Sequence, residues 1–187
     1  MKSMSSARRR LVAGLSLACA AVLAPTAALA ASAGPTSHAA RSLAAPPPCH
    51  HAATEVWHAA EGNGAAGTVF FEIELSNVSH ATCSLFGYPG VSELNIHGHQ
   101  VGLPASHSGS KILVTLRPGG TSHFVLAVTD AGAVCVHPLR GSTLRVFPPG
   151  QSVPQLLNFP AEMCPHRSTM HVDAIHPGTG IPFFSRS

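Results

Sequence analysis

Thirteen histidines and five cysteines are the residues of this 187-residue sequence best equipped for chemistry. His50-His51, the pair His97 and His99 around Gly98, and the run holding Met163, His166, Met170, His171 and His176 are candidate metal-ligand groups. Residues two apart on a strand share a face, so His97 and His99 could chelate one ion. Gly98 between them instead marks a turn between strands, in which both imidazoles are solvated. The methionine and histidine run has the softness that suits Cu(I), but its members are three, four and five residues apart in a loop. A Cu or Zn site would therefore draw on His97, His99, Met163, His166, Met170 and His171.

Nucleophilic chemistry has less to build on. Ser108-Gly109-Ser110-Lys111 fits the Ser-x-x-Lys pattern of penicillin-interacting enzymes, yet that chemistry sets the serine at a helix start, whereas Lys111 opens a strand pattern. There is no Gly-x-Ser-x-Gly elbow and no His-Glu-x-x-His pair. Asp130 and Asp173 are far apart, and Glu72 and Glu74 read as the solvated face of a strand rather than paired catalytic carboxylates. The expectation is a protein that is not an enzyme and needs no cofactor.

Cys49, Cys83, Cys135 and Cys164 form an even set in a chain that begins with an export signal, which reads as two disulfides. The absence of a close Cys-x-x-Cys pair argues against a zinc site. Of the three possible pairings, Cys49 with Cys83 and Cys135 with Cys164 is the most local.

The export signal itself occupies residues 1–30. Lys2, Arg8, Arg9 and Arg10 precede an uncharged stretch from Leu11 to Leu29, and Ala28 and Ala30 supply the small residues a signal peptidase requires, predicting a mature chain that starts at Ala31. Pro25 interrupts the apolar run and no charge follows before Arg41, so a stable transmembrane anchor is not expected. A lipid anchor on Cys19 is the alternative, although Ser16 stands where an aliphatic residue usually precedes a lipidated cysteine. The arginine run leaves the general secretory and twin-arginine routes both open.

Four of the eleven Lys and Arg leave with that segment, so seven remain against eight Asp and Glu. Without a basic patch there is no counterion release to drive nucleic-acid binding and no polybasic hold on a membrane surface.

The elements that must position these residues are strands. Residues 31–48 are an Ala, Ser and Pro linker, and the domain spans 49–178, followed by a tail at 179–187. Val69, Phe71, Ile73 and Leu75 alternate with Phe70, Glu72, Glu74 and Ser76, and Phe124 to Val128 repeats the pattern. Shorter runs at 111–116, 143–147 and 172–175 are also strand-like, and Gly, Pro and Asn turns separate them all. Arg117-Pro118-Gly119-Gly120 reads as a hairpin turn, and Trp57 and Tyr88 as core or corner residues. These features predict an all-β, antiparallel, immunoglobulin-like sandwich with two disulfides.

Cys49, Trp57, Gly64-Ala65-Ala66-Gly67, Asn77-Val78-Ser79 and above all Cys83-Ser84-Leu85-Phe86-Gly87-Tyr88-Pro89-Gly90-Val91 resemble the secreted actinobacterial family called domain of unknown function (DUF) 4232. Gly102, the 117–120 turn, Cys135, Leu144 to Gly150 and Cys164 follow in the same order. The resemblance implies an exported β-sandwich of the cell envelope or extracellular space, with no catalytic residues to carry over. The function expected is a non-catalytic secreted or envelope-associated module that binds a protein or glycan partner through loops bearing Tyr88, His97 and His99. The alternative is an extracytoplasmic Cu or Zn binder using surface histidines.

Overall fold

The computed structural model describes residues 44–58 and 63–180. The expected signal segment, most of the linker, the end of the tail and the Trp57 side chain lie outside the described residues. In chain order the strands are β1 (Thr54–His58), β2 (Asn63–Ala65), β3 (Thr68–Asn77), β4 (Cys83–Phe86), β5 (Gly90–Leu94), β6 (Gln100–Val101), β7 (Ser106–Ser108) and β8 (Leu113–Leu116). They continue as β9 (Thr121–Thr129), β10 (Leu139–Arg140), β11 (Thr143–Phe147), β12 (Gln155–Asn158), β13 (Glu162–Met163), β14 (Met170–Asp173) and β15 (His176–Pro177). A 3-10 turn at His51–Ala53 precedes β1, and a short α-helix, α1 (Ala131–Val134), follows β9 and is capped by Asp130, whose side chain accepts from the Gly132 amide.

A seven-stranded sheet runs β1-β3-β9-β14-β7, with β2 also on β3 and β15 also on β9. A four-stranded sheet runs β12-β11-β5-β6, and two-stranded sheets pair β4 with β8 and β10 with β13. All of these pairs are antiparallel except β7 with β14. The protein is thus all-β, with antiparallel sheets and two disulfides.

The two-residue period of β3 and β9 turns one face of the large sheet inward. Ile73 and Leu75 there meet Phe124 and Leu126 in one buried cluster, together with Leu85 of β4, Leu116 of β8 and Leu144 of β11. Burying each such side chain contributes about 1.5–3 kcal/mol, so this shared core is the main force holding the sheets together. Disulfides Cys49–Cys83 and Cys135–Cys164, with Cα atoms 4.9 and 5.9 Å apart, close loops of 34 and 29 residues. By the chain-entropy argument each stabilises the fold by roughly 3.5 kcal/mol.

Asn77, completely buried at the end of β3, organises the turn that follows. Its amide nitrogen donates to the carbonyls of Ala81 and Leu116, and its Oδ1 accepts from the amide and hydroxyl of Ser79. Its backbone also bonds Gly119 and Gly120. That second contact explains a departure from the expected hairpin. The Gly120 amide closes the turn onto the Arg117 carbonyl at 2.8 Å, but β8 before it pairs with β4 and β9 after it pairs with β3, so the turn carries the chain between sheets.

The outer face of β3 is the second departure. Glu72 and Glu74 are only 7% and 3% exposed instead of solvated. The chain end lies over them: β15 adds to β9, the Gly178 amide donates to the Thr121 carbonyl, and the Gly180 amide donates to the Glu72 carboxylate.

Candidate functional site

Tyr88 and the two turn histidines do not share a surface. Tyr88 precedes β5 and His97 and His99 follow it, so they lie at opposite ends of a five-residue strand, a separation of roughly 16 Å at ~3.3 Å per residue. Tyr88 is half-buried; its hydroxyl donates to the Gly109 carbonyl, the His107 ring stacks on it at 4.9 Å, and Lys111 Nζ sits 5.1 Å from its centroid. It pins the segment after β7. His97 and His99 project from a turn shaped by Asn95, whose Oδ1 accepts both of their amides, and their rings are 6.5 Å apart.

The methionine and histidine run is dispersed. Met163 and Met170 are core residues, each 1% exposed, and the Met163 sulfur accepts from Thr169 Oγ1. His166 is exposed, while His171 is held between two serines. Gly102 shows how tightly Met163 is packed: it has φ 69°, and a Cβ there would lie 2.9 Å from both Met163 Cβ and the Cys164 carbonyl.

The His171 contacts follow from the parallel pairing of β7 with β14. That register sets His171 beside Ser106 and Asp173 beside Ser108. Nδ1 of His171 lies 2.9 Å from Ser106 Oγ, and Nε2 contacts Ser108 Oγ. A neutral imidazole donates through one nitrogen and accepts through the other, so one serine hydroxyl is polarised and the other orients the ring. Among the described residues no carboxylate backs the histidine: Asp173 Oδ1 accepts from the Val125 amide and Oδ2 faces His176 at 3.4 Å.

On the outer face of the large sheet a second cluster forms, which the sequence reading missed. The register aligns Glu74 with His123 and His123 with His176, three neighbouring strands in one row. Glu72 and Asp173 flank it. His123 Nδ1 bonds the Gly178 carbonyl at 2.9 Å, and because a carbonyl only accepts, Nδ1 carries the proton. His123 Nε2 and Glu74 Oε2 are buried without a hydrogen-bond partner. Burial, and then the Glu72 carboxyl beside it, raise the pKa of Glu74. Burial also raises that of Asp173, against the opposing pull of the Val125 amide and His176. The signal for this cluster was a histidine inside an otherwise apolar strand, but nothing local tells that strand's neighbours.

A groove of about 530 Å³ opens between the β2–β3 turn, the end of β9 with the start of α1, and residues 159–162. Phe71 and Phe159 form its floor, edge to face with centroids 4.8 Å apart, and Val128 extends the apolar lining. Asp130 and Glu162, both exposed, stand among the lining residues, with Glu162 Oε1 3.8 Å from Arg140 Nε. The Asp130 amide bonds the Gly67 carbonyl and so ties two walls together. Glycine, alanine, threonine and proline make up much of the lining, types that carry no signal in sequence.

A family model described as "Domain of unknown function (DUF4232)" matches residues 49–176. No curated protein and no solved structure matches the chain.

Proposed function

We propose, from the premise that the chain belongs to the DUF4232 family, that it is an exported, non-catalytic binding module of the cell envelope or extracellular space. Its partner, a protein or a glycan, docks in the Phe71–Phe159 groove. The observation that carries this reading is the groove itself. Its volume falls in the range of ligand-binding clefts, and it combines an aromatic floor with two carboxylates, the few convergent polar groups that orient a ligand over apolar surface. Two disulfides favour an oxidising compartment, which supports export. The serine and histidine contacts on β7 and β14 do not line the groove and have no supporting carboxylate among the described residues, which favours binding over turnover.

The test is to titrate isotope-labelled exported protein with soluble cell-wall glycan fragments and, separately, with envelope protein fractions. Amides of residues 64–69, 128–131 and 159–162 are expected to shift on binding, and Val69→Arg with Glu162→Arg, both exposed in the lining, to abolish the shifts. Shifts centred on Tyr88 and His107 that survive those substitutions would refute the groove as the binding site.

A further inference from the structure

We propose that Glu74, His123 and His176 bind a single divalent transition-metal ion, Zn²⁺ by ligand chemistry, beneath the chain end at residues 176–180. The inference goes beyond the binding-module reading and does not depend on it.

Three observations converge. The first is register: Glu74, His123 and His176 sit opposite one another on β3, β9 and β15, so their side chains leave the same face of the sheet in one row. Two imidazoles and a carboxylate are a donor set that suits zinc. The second is the state of His123. Its Nδ1–H is committed to the Gly178 carbonyl, which leaves the lone pair on Nε2, the arrangement in which metal-bound histidines are held by a neighbouring carbonyl. That Nε2 is buried and unpartnered, in a residue only 3% exposed. Glu74 Oε2, on the adjoining strand and in a residue also 3% exposed, is unpartnered as well.

The third is charge. Glu72 and Glu74 are buried side by side, and no salt bridge to a Lys or Arg reaches either among the described residues. Two adjacent carboxylates in a dry site need a proton or a cation, and a divalent ion satisfies both the carboxylates and the orphaned imidazole.

As they stand, no three histidine, cysteine, aspartate or glutamate side chains among the described residues are grouped to hold an ion. The third ligand therefore has to turn inward. His176 can do so: it is half-buried, its ring centroid is 5.7 Å from that of His123, and its one ion-pair contact among the described residues is a loose 3.4 Å approach to Asp173. Uptake would move His176 from Asp173 towards the Glu74–His123 pair and fasten the chain end to the sheet.

The experiment is calorimetric titration of the full exported chain, stripped with chelator, with Zn²⁺ alone and with Ca²⁺ as the oxygen-preferring control. One equivalent of Zn²⁺ is expected to bind, with Ca²⁺ at least tenfold weaker. Glu74→Gln and His176→Ala should each weaken Zn²⁺ by at least tenfold, while His97→Ala with His99→Ala leaves it unchanged. His176 is half-buried, so its variant stays interpretable if a change at Glu74 unfolds the protein. Imidazole nitrogen spectra give an independent readout, in which Zn²⁺ should shift His123 Nε2 and not Nδ1. Failure of the wild-type chain to take up Zn²⁺ saturably, uptake unaffected by His176→Ala, or uptake lost with His97 and His99 would each overturn the proposal.

Discussion

The Glu93 side chain occupies the space that a side chain at position 141 would fill: a Cβ built on Gly141 would lie 2.1 Å from Glu93 Cγ and 2.3 Å from its Oε1. Glu93 is completely buried in the middle of the four-stranded sheet, and no amide meets either of its carboxyl oxygens in good hydrogen-bond geometry, those of Thr143 and Ser142 being its polar neighbours. Burial pushes its pKa up to about 8, against the smaller opposing effect of the Thr143 and Ser142 amides. The glycine and the neutral acid are therefore one packing unit.

Gly141→Ala should destabilise the protein by about 2 kcal/mol, because the added methyl overlaps the Glu93 side chain, which is completely buried and has to be displaced within a packed core. Urea unfolding of the variant checks this. A smaller loss in the double variant with Glu93→Ala would show that the clash, and not the strand's conformational preference, is responsible. Equal losses in both backgrounds would contradict the packing relationship.

The same residue makes stability depend on pH with a definite sign. An unfolded glutamate ionises near 4.5, whereas folded Glu93 holds its proton to about 8. Between those values the folded state carries a proton that the unfolded state has released, so stability falls as pH rises through this window and levels off above it. At ~1.4 kcal/mol per pKa unit the loss is of order 5 kcal/mol. The raised pKa values of Glu74 and Asp173 act in the same direction. Urea midpoints should therefore drop between pH 5 and pH 8.5. Glu93→Gln should be less steep and more stable than the parent at pH 8.5; a parent midpoint that holds steady or rises would rule out a neutral buried Glu93.

Asn77→Ala should cost about 2–3 kcal/mol, since it strands the buried carbonyl of Leu116 and releases Ser79. Asn77→Asp separates the two halves of the network, because it keeps the acceptor for Ser79 and loses both donated bonds. Thermal unfolding that ranked Asp above the parent would show that the donated bonds are not what holds this turn.

Much of the architecture was legible because it is local. The alternation in β3 and β9 declares two strands, and the turn residues punctuate the chain where turns occur, although β8 starts at Leu113 and β14 ends at Asp173, each two residues from the expected bound. What the sequence conceals is who lies across from whom. Arg117 to Gly120 looks like a hairpin when successive strands are assumed to pair, yet a buried Asn77 more than thirty residues earlier holds the turn. Glu72 and Glu74 read as solvent-facing because carboxylates usually are, and nothing local marks Glu93 as buried. Their burial depends on a chain end and a glycine that are remote in sequence. The groove is harder still, being a void between elements and not a property of any one of them.

The placement of β14 bears on when the molecule can fold. Residues 170–173 lie between β9 and β7 in the large sheet, and among the described residues β7 has no other strand beside it there. A chain emerging from its N-terminus can zip β1, β3 and β9 together early, but β7 must wait for more than sixty further residues before its partner arrives. Such distant pairing is slow to close. Until residues 170–173 are available, the side of β9 that they cover stays open and β7 lacks its partner, so completion of the large sheet waits on the C-terminal segment.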